Sequence, residues 1–184
     1  MRYAIIVVGG LCAVMLAGCV PSLHPLYTDD VIVLDSLLAG SWVNEGGNET
    51  WEFYDTMNRS YELFYTEDEV PAHFETHLVR LGDYLFLDTY PDDDEIENDF
   101  YKLHLVPAHI FGRVWISLDT LRLSLLDADW LKKNLEKGSV KLAHEIVDGS
   151  LVLTAEPEKL QAFAKKYADD PDAFAEPTVL TRQY

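Results

Sequence analysis

From Gly40 to Leu126 the chain breaks into short runs in which apolar and polar residues alternate, each closed by turn residues and spaced roughly 8–12 residues apart. Side chains alternate across a strand, so each run buries one face. Several such strands in succession make a sandwich or a barrel. Thr50 to Tyr54 puts Trp51 and Phe53 on one face. Tyr61, Leu63 and Tyr65 alternate against Ser60, Glu62 and Thr66, after a turn over Asp55 to Arg59. His73 to Leu81, the two-residue turn Gly82-Asp83 and Tyr84 to Asp88 read as a hairpin. Phe100 to Val106, Val114 to Leu118 and Leu121 to Leu126 continue the series. Pro107 falls between strands, where its missing N–H does least harm.

After Leu126 the period changes. Asp127 is placed to cap a helix over Ala128 to Lys137, with Trp130, Leu131 and Leu135 at helical spacing, Lys132, Lys133 and Lys137 toward the C-terminal end and Gly138 as the stop. Val140 to Val147, the Asp148-Gly149 turn and Leu151 to Thr154 predict a hairpin. A second helix is expected over Glu156 to Ala168, with Pro157 in its first turn and Leu160, Phe163, Ala164 and Tyr167 on its buried face. Thr178 to Arg182 is β-branched and apolar enough for a closing strand.

Gly40-Ser41-Trp42 opens the first strand, and Arg182 stands on the last. A Gly-x-Trp before an antiparallel meander resembles the lipocalin (calycin) family. The resemblance implies that Trp42 plugs one end of a barrel and that Arg182 covers it. A guanidinium on an indole face would contribute about 0.5–2 kcal/mol. The match rests on Gly40, Trp42 and Arg182 and, between them, on strand rhythm. The expected fold is mainly β, a lipocalin-like antiparallel meander barrel with two peripheral helices. An extra hairpin between the helices departs from the family pattern, so an open α+β antiparallel sheet with the helices on one face stands as the alternative.

The amino end says where such a barrel would work. Arg2 precedes an uncharged apolar run from Tyr3 to Met15, and Leu16-Ala17-Gly18-Cys19 follows. A basic start, a short apolar stretch and small residues before a cut site make a secretory signal. With a Cys at the cut, the stretch resembles the lipobox of bacterial lipoproteins. That resemblance implies cleavage before Cys19, lipid on its sulfur and acylation of the new amino end. Val20 instead of Asp implies release to the outer membrane, facing the periplasm. The chain also looks like a group of uncharacterised outer-membrane lipoproteins, a likeness that implies no activity. The division expected is a cleaved signal over 1–18, a tether over 19–34 containing Pro21 and Pro25, and a single β-rich domain over 35–184. Cys12 leaves with the signal and Cys19 takes the lipid, so no disulfide would hold the remaining 166 residues together.

The chain carries 14 basic and 32 acidic side chains; loss of Arg2 leaves 13 against 32, a net charge of −19. Phosphate backbones and anionic head groups repel such a body, which excludes nucleic acid and leaves the lipid as the expected membrane attachment. The charge favours a basic envelope protein as a partner. No nucleophile elbow, catalytic cysteine, phosphate loop or dinucleotide fingerprint occurs, so no catalytic residue and no cofactor is expected.

His73, Glu75 and His77 would share one strand face, near Lys102 and His104. Residues four apart on a strand are about 13 Å apart, too far for one ion without a second strand, so no metal site is expected. Asp92-Asp93-Asp94-Glu95 with Glu97 and Asp99 lacks the turn glycine of an EF-type loop and reads as a solvated loop. Crowded aromatics between Trp51 and Tyr101, including Phe64, Phe74 and Tyr84, fill a core or line an apolar pocket. Trp51, Phe53, Tyr61, Tyr65 and Phe86 are the candidates to line a site for a small apolar or amphipathic ligand. The alternative is a barrel packed solid that docks a partner through its acidic surface.

Overall fold

A computed structural model describes residues 19–92 and 98–184. The expected signal segment 1–18 and the acids of 93–97 lie outside the described residues. Strand β1 (Ile32–Val33) precedes a meander of β2 (Gly40–Asn44), β3 (Glu49–Asp55), β4 (Tyr61–Glu67), β5 (Val70–Leu81) and β6 (Tyr84–Pro91). A short helix α1 (Asp99–Lys102) leads to β7 (Ile110–Ile116) and β8 (Thr120–Leu125). Then come α2 (Ala128–Glu136), the hairpin β9 (His144–Val147) and β10 (Ser150–Leu153), α3 (Pro157–Tyr167) and β11 (Thr178–Gln183).

Neighbouring strands pair antiparallel from β2 to β8. β11 slots between β8 and β2, and β5 pairs with both β4 and β6, so eight strands close on themselves. β5 is long enough to serve both neighbours: residues 70–76 face β4, while residues 74–81 face β6. Below the start of β4, β1 takes over the free edge at Val79 and Leu78. This is the lipocalin-like meander barrel expected from the strand rhythm, and it leaves no open edge of the kind the α+β alternative would need.

Alternation along the strands separates two cores. Trp42, Phe53, Tyr61, Leu63, Leu78, Leu87, Val114, Leu121, Leu123 and Leu180 point inward and join Leu38 in a lumen cluster. The outward residues Val79, Leu81, Phe86 and Phe111 pack against α2, the β9–β10 hairpin and α3, through Leu131, Val140, Leu153, Leu160, Phe163 and Phe174. Asp127 caps α2, its Oδ1 accepting from the Trp130 N–H at 2.6 Å. Pro157 opens α3 where its missing donor costs nothing.

Two expectations are corrected. The 19–34 tether is built into the fold. Val20, Ser22, Leu26 and Ile32 are buried, and Ser22 bridges to His109 and Leu153. Pro21 and Pro25 break the periodicity without preventing scattered apolar side chains from docking on the barrel wall. Phe100 to Val106 is not a strand: it holds α1 and a turn, with Phe100, Leu103 and Val106 exposed. Lys102 and His104 therefore lie on this connection and not on a strand; the His104 ring bonds the Phe100 carbonyl at 2.7 Å. Alternation there has no neighbouring edge to pair with, because β6 already pairs with β7.

Candidate functional site

The end of the barrel that Trp42 occupies is sealed. Asp35 caps the turn over residues 36–38, its Oδ1 accepting from the Leu37 N–H at 3.0 Å. The Tyr61 hydroxyl donates to the Asp35 carbonyl at 3.1 Å and accepts from its N–H at 2.8 Å. Trp42 is fully buried, and its indole N–H donates to the Leu38 carbonyl at 2.9 Å. Arg182, registered opposite Trp42, lays its guanidinium 4.1 Å from the ring centroid. Its Nε donates to Leu118 O at 2.7 Å, Nη1 to Ala39 O at 2.9 Å and Nη2 to Leu37 O. One side chain thus ties the β7–β8 turn, the plug and β11 together. Gly40 is required here twice over. Its φ is +123°, and a Cβ would stand 2.6 Å from Arg182 Nη1. Gly40, Trp42 and Arg182 come together at this end of the barrel.

The lumen from this seal up to the level of Trp51 is aromatic. Trp51 and Phe53 stack at 6.3 Å, Trp51 meets Tyr65 edge-on at 4.9 Å, and Phe53 meets Tyr61 edge-on at 6.4 Å. Four of the five expected lining residues therefore share the interior. Phe86 does not: it is buried on the outer wall beside Phe174, with ring centroids 6.0 Å apart. Residue 86 alternates with Leu85 and Leu87, and those two face inward. Sequence alternation alone leaves the inner face undecided when both faces are apolar.

Two polar atoms in this interior are buried without hydrogen-bond partners, Thr76 Oγ1 and Trp51 Nε1. Thr76 is fully buried, registered between Tyr61 and Thr89 on the inner face. The Trp51 indole N–H is close enough to the Glu49 carboxylate to favour its charged form, without meeting the geometry of a hydrogen bond. Buried polar groups are nearly always paired, and an orphan marks a place for water or a ligand. Glu49 and Glu67 face one another across the β3–β4 ladder at the end away from Trp42. Burial first, then the Glu67 charge, raises the Glu49 carboxyl above its ordinary pKa. Tyr65 is raised by burial and by both glutamates.

A second cluster escaped the sequence reading. Asp88, almost fully buried, stands on the outer face of β6. The Leu26 N–H donates to its Oδ2 at 2.6 Å, and His109 Nδ1 to its Oδ1 at 2.7 Å. Tyr27 stacks on buried His77 at 3.9 Å, and Tyr90 packs on His109 at 4.6 Å. The Tyr27 hydroxyl is pushed up to about 12 by burial, then by Asp88 and Glu75. Burial lowers the His77 pKa against the opposing pull of Glu75 and Asp88. An Asp–His pair can orient a general base, but the buried Ser22 hydroxyl paired beside it donates to the His24 carbonyl at 2.6 Å. The pair's visible work is to staple the amino-terminal segment to the barrel. The sequence offers only an acid directly after the apolar run Tyr84 to Leu87, with no spacing that ties it to Leu26 or His109.

His73 and Glu75 are exposed on the same outer face as His77. His73 packs against the Phe64 ring at 4.4 Å, and Glu75 lies 3.9 Å from His77 Nε2. Among the described residues no three His, Cys, Asp or Glu side chains are grouped to hold a metal. Likewise, no helix among them is long and apolar enough to cross a membrane. Comparison with protein-family models, curated proteins and solved structures finds no match to this chain.

Proposed function

We propose that this chain is a lipid-anchored, non-catalytic lipoprotein of the bacterial cell envelope whose barrel takes up a small apolar or amphipathic molecule. The observation that carries the reading is the lumen. It is plugged at one end by Trp42 and Arg182, lined by Trp51, Phe53, Tyr61 and Tyr65, and it holds two buried polar atoms without partners. An apolar wall with a few polar groups is the usual make-up of a small-molecule site. The Leu16-Ala17-Gly18-Cys19 stretch supports the address, with the acylated Cys19 facing the periplasm from the outer membrane.

Native mass spectrometry of gently purified protein is expected to show a bound small molecule. The apolar dye 1-aminoanthracene is expected to bind saturably and quench tryptophan emission. Thr76→Val should weaken uptake of an amphipathic ligand without lowering stability, because the methyl needs no partner. Absence of both a bound mass and saturable dye binding would overturn the ligand reading. The address has its own check, since the native host should yield an amino terminus beginning at acylated Cys19. The near-complete burial of the eleven lumen residues favours a second reading, a solid barrel docking a basic envelope protein through its acidic surface. In-cell crosslinking that recovers such a neighbour, from a barrel that binds no dye, would select it.

A further inference from the structure

The charge of this molecule is unevenly spread. Residues 128–168, which form α2, the hairpin and α3, contain seven lysines against six acids, a net of +1; the rest of 19–184 therefore carries −20. Lys132, Lys133, Lys137, Lys141, Lys159, Lys165 and Lys166 are all exposed. Among the described residues none of them makes an ion pair. Helix dipoles account for Lys133, Lys165 and Lys166, which sit in last turns. They do not account for Lys132, Lys141 or Lys159.

The expected lipid attachment point emerges at this same layer. Val20 is buried in one cluster with Leu131, Leu142, Leu151 and Leu160. The Leu153 N–H donates to the Pro21 carbonyl at 2.9 Å, and the Leu23 N–H to the Leu153 carbonyl at 2.9 Å. Cys19, two residues before Pro21, lies within about 7 Å of it along the chain. The nearby hairpin exposes Ile146 and Val147. At physiological salt charges are screened over about 8 Å, so a lipid surface feels mainly the nearest face of the protein and not its total charge.

We infer that the solvent face of the α2–hairpin–α3 layer docks on an anionic lipid surface and holds the acidic barrel away from it. The placement rests on the anchor reading above; the attraction comes from exposed lysines that make no ion pair among the described residues. The exposed apolar connection at Phe100, Leu103 and Val106 is the competing contact. It follows a stretch with six acids between Asp92 and Asp99, which such a surface repels.

The test couples chain 19–184 through its only thiol, Cys19, to maleimide lipid in phosphatidylcholine vesicles with or without phosphatidylglycerol, and follows amide hydrogen exchange by mass spectrometry. Coupling is chemical, so the result does not depend on cellular lipidation; an unmodified amino terminus in the host would sink the anchor reading separately. Exchange over 128–168 should slow only with phosphatidylglycerol present. The protection should be lost near 1 M salt, where screening acts over about 3 Å. It should also be lost in K132E/K133E/K137E/K141E, whose thermal midpoint is checked against the parent. Equal protection on both vesicles, or protection moving to 98–106, would overturn the inference.

Discussion

The two cores of this protein are closed by opposite means. The lumen is sealed by one cation that donates to three carbonyls while covering an indole. The outer core is stapled by one anion, Asp88, that accepts from Leu26 and His109. The lumen is assembled from consecutive hairpins, its contacts mostly between strands next to each other in sequence. The outer core joins residues 20–27 to residues 131–174 across the barrel wall, so its ordering entropy is met only after the barrel exists. The difference suggests an order of stability: a barrel that can stand while the outer layer opens, but no outer layer without the barrel wall.

Trp42→Ala should be the most damaging single change. It removes a fully buried indole, leaves a cavity against Leu38 and Leu180, and strips Arg182 of its ring, for about 4 kcal/mol. Urea unfolding should show both cores lost together. Survival of a folded outer layer in this variant would reverse the proposed hierarchy. Asp88→Ala should cost less, about 3 kcal/mol, by leaving the Leu26 N–H and His109 buried without their acceptor. Its signature is regional. Amide exchange should rise over 20–33 and 128–174 while β3 and β4 stay protected, and uniform exchange across all strands would merge the two cores into one unit.

The same contrast explains what was legible in the sequence. Trp51, Phe53, Tyr61 and Tyr65 were placed on one face because polar neighbours mark the other face of those strands. Gly40, Trp42 and Arg182 were legible only through a family resemblance, since nothing local tells a strand that an arginine about 140 residues away will cover its indole. Phe86 was misassigned where Tyr84 to Leu87 is apolar on both faces, one toward the lumen and one under α3. The 19–34 segment was read as a tether for a related reason. Its hydrophobic residues follow no period, because a chain laid over a finished wall docks wherever a side chain meets a hollow. Asp88 was invisible as a staple: its partners Leu26 and His109 are brought in by tertiary packing, and one acid in a strand carries no spacing signal.

His77 gives the smallest and most specific test of the staple region. Its ring is buried under Tyr27, and burial holds its pKa below the ordinary value of 6.5. The unfolded chain therefore takes up the proton first as pH falls. His77 contributes its full stability above about pH 6.5 and loses it progressively below, down through its lowered folded-state value. The whole protein will not show this cleanly, because acidification also relieves the repulsion among its many carboxylates. Comparison of urea midpoints from pH 7.5 to pH 5 between the parent and His77→Gln isolates the effect. The parent should lose ground relative to the variant as pH drops. The divergence should coincide with faster amide exchange in residues 26–33, which Tyr27 holds against the barrel. Parallel midpoints across the range would mean that the charges of Glu75 and Asp88 offset the burial of His77 in full, and the predicted loss at low pH would be refuted.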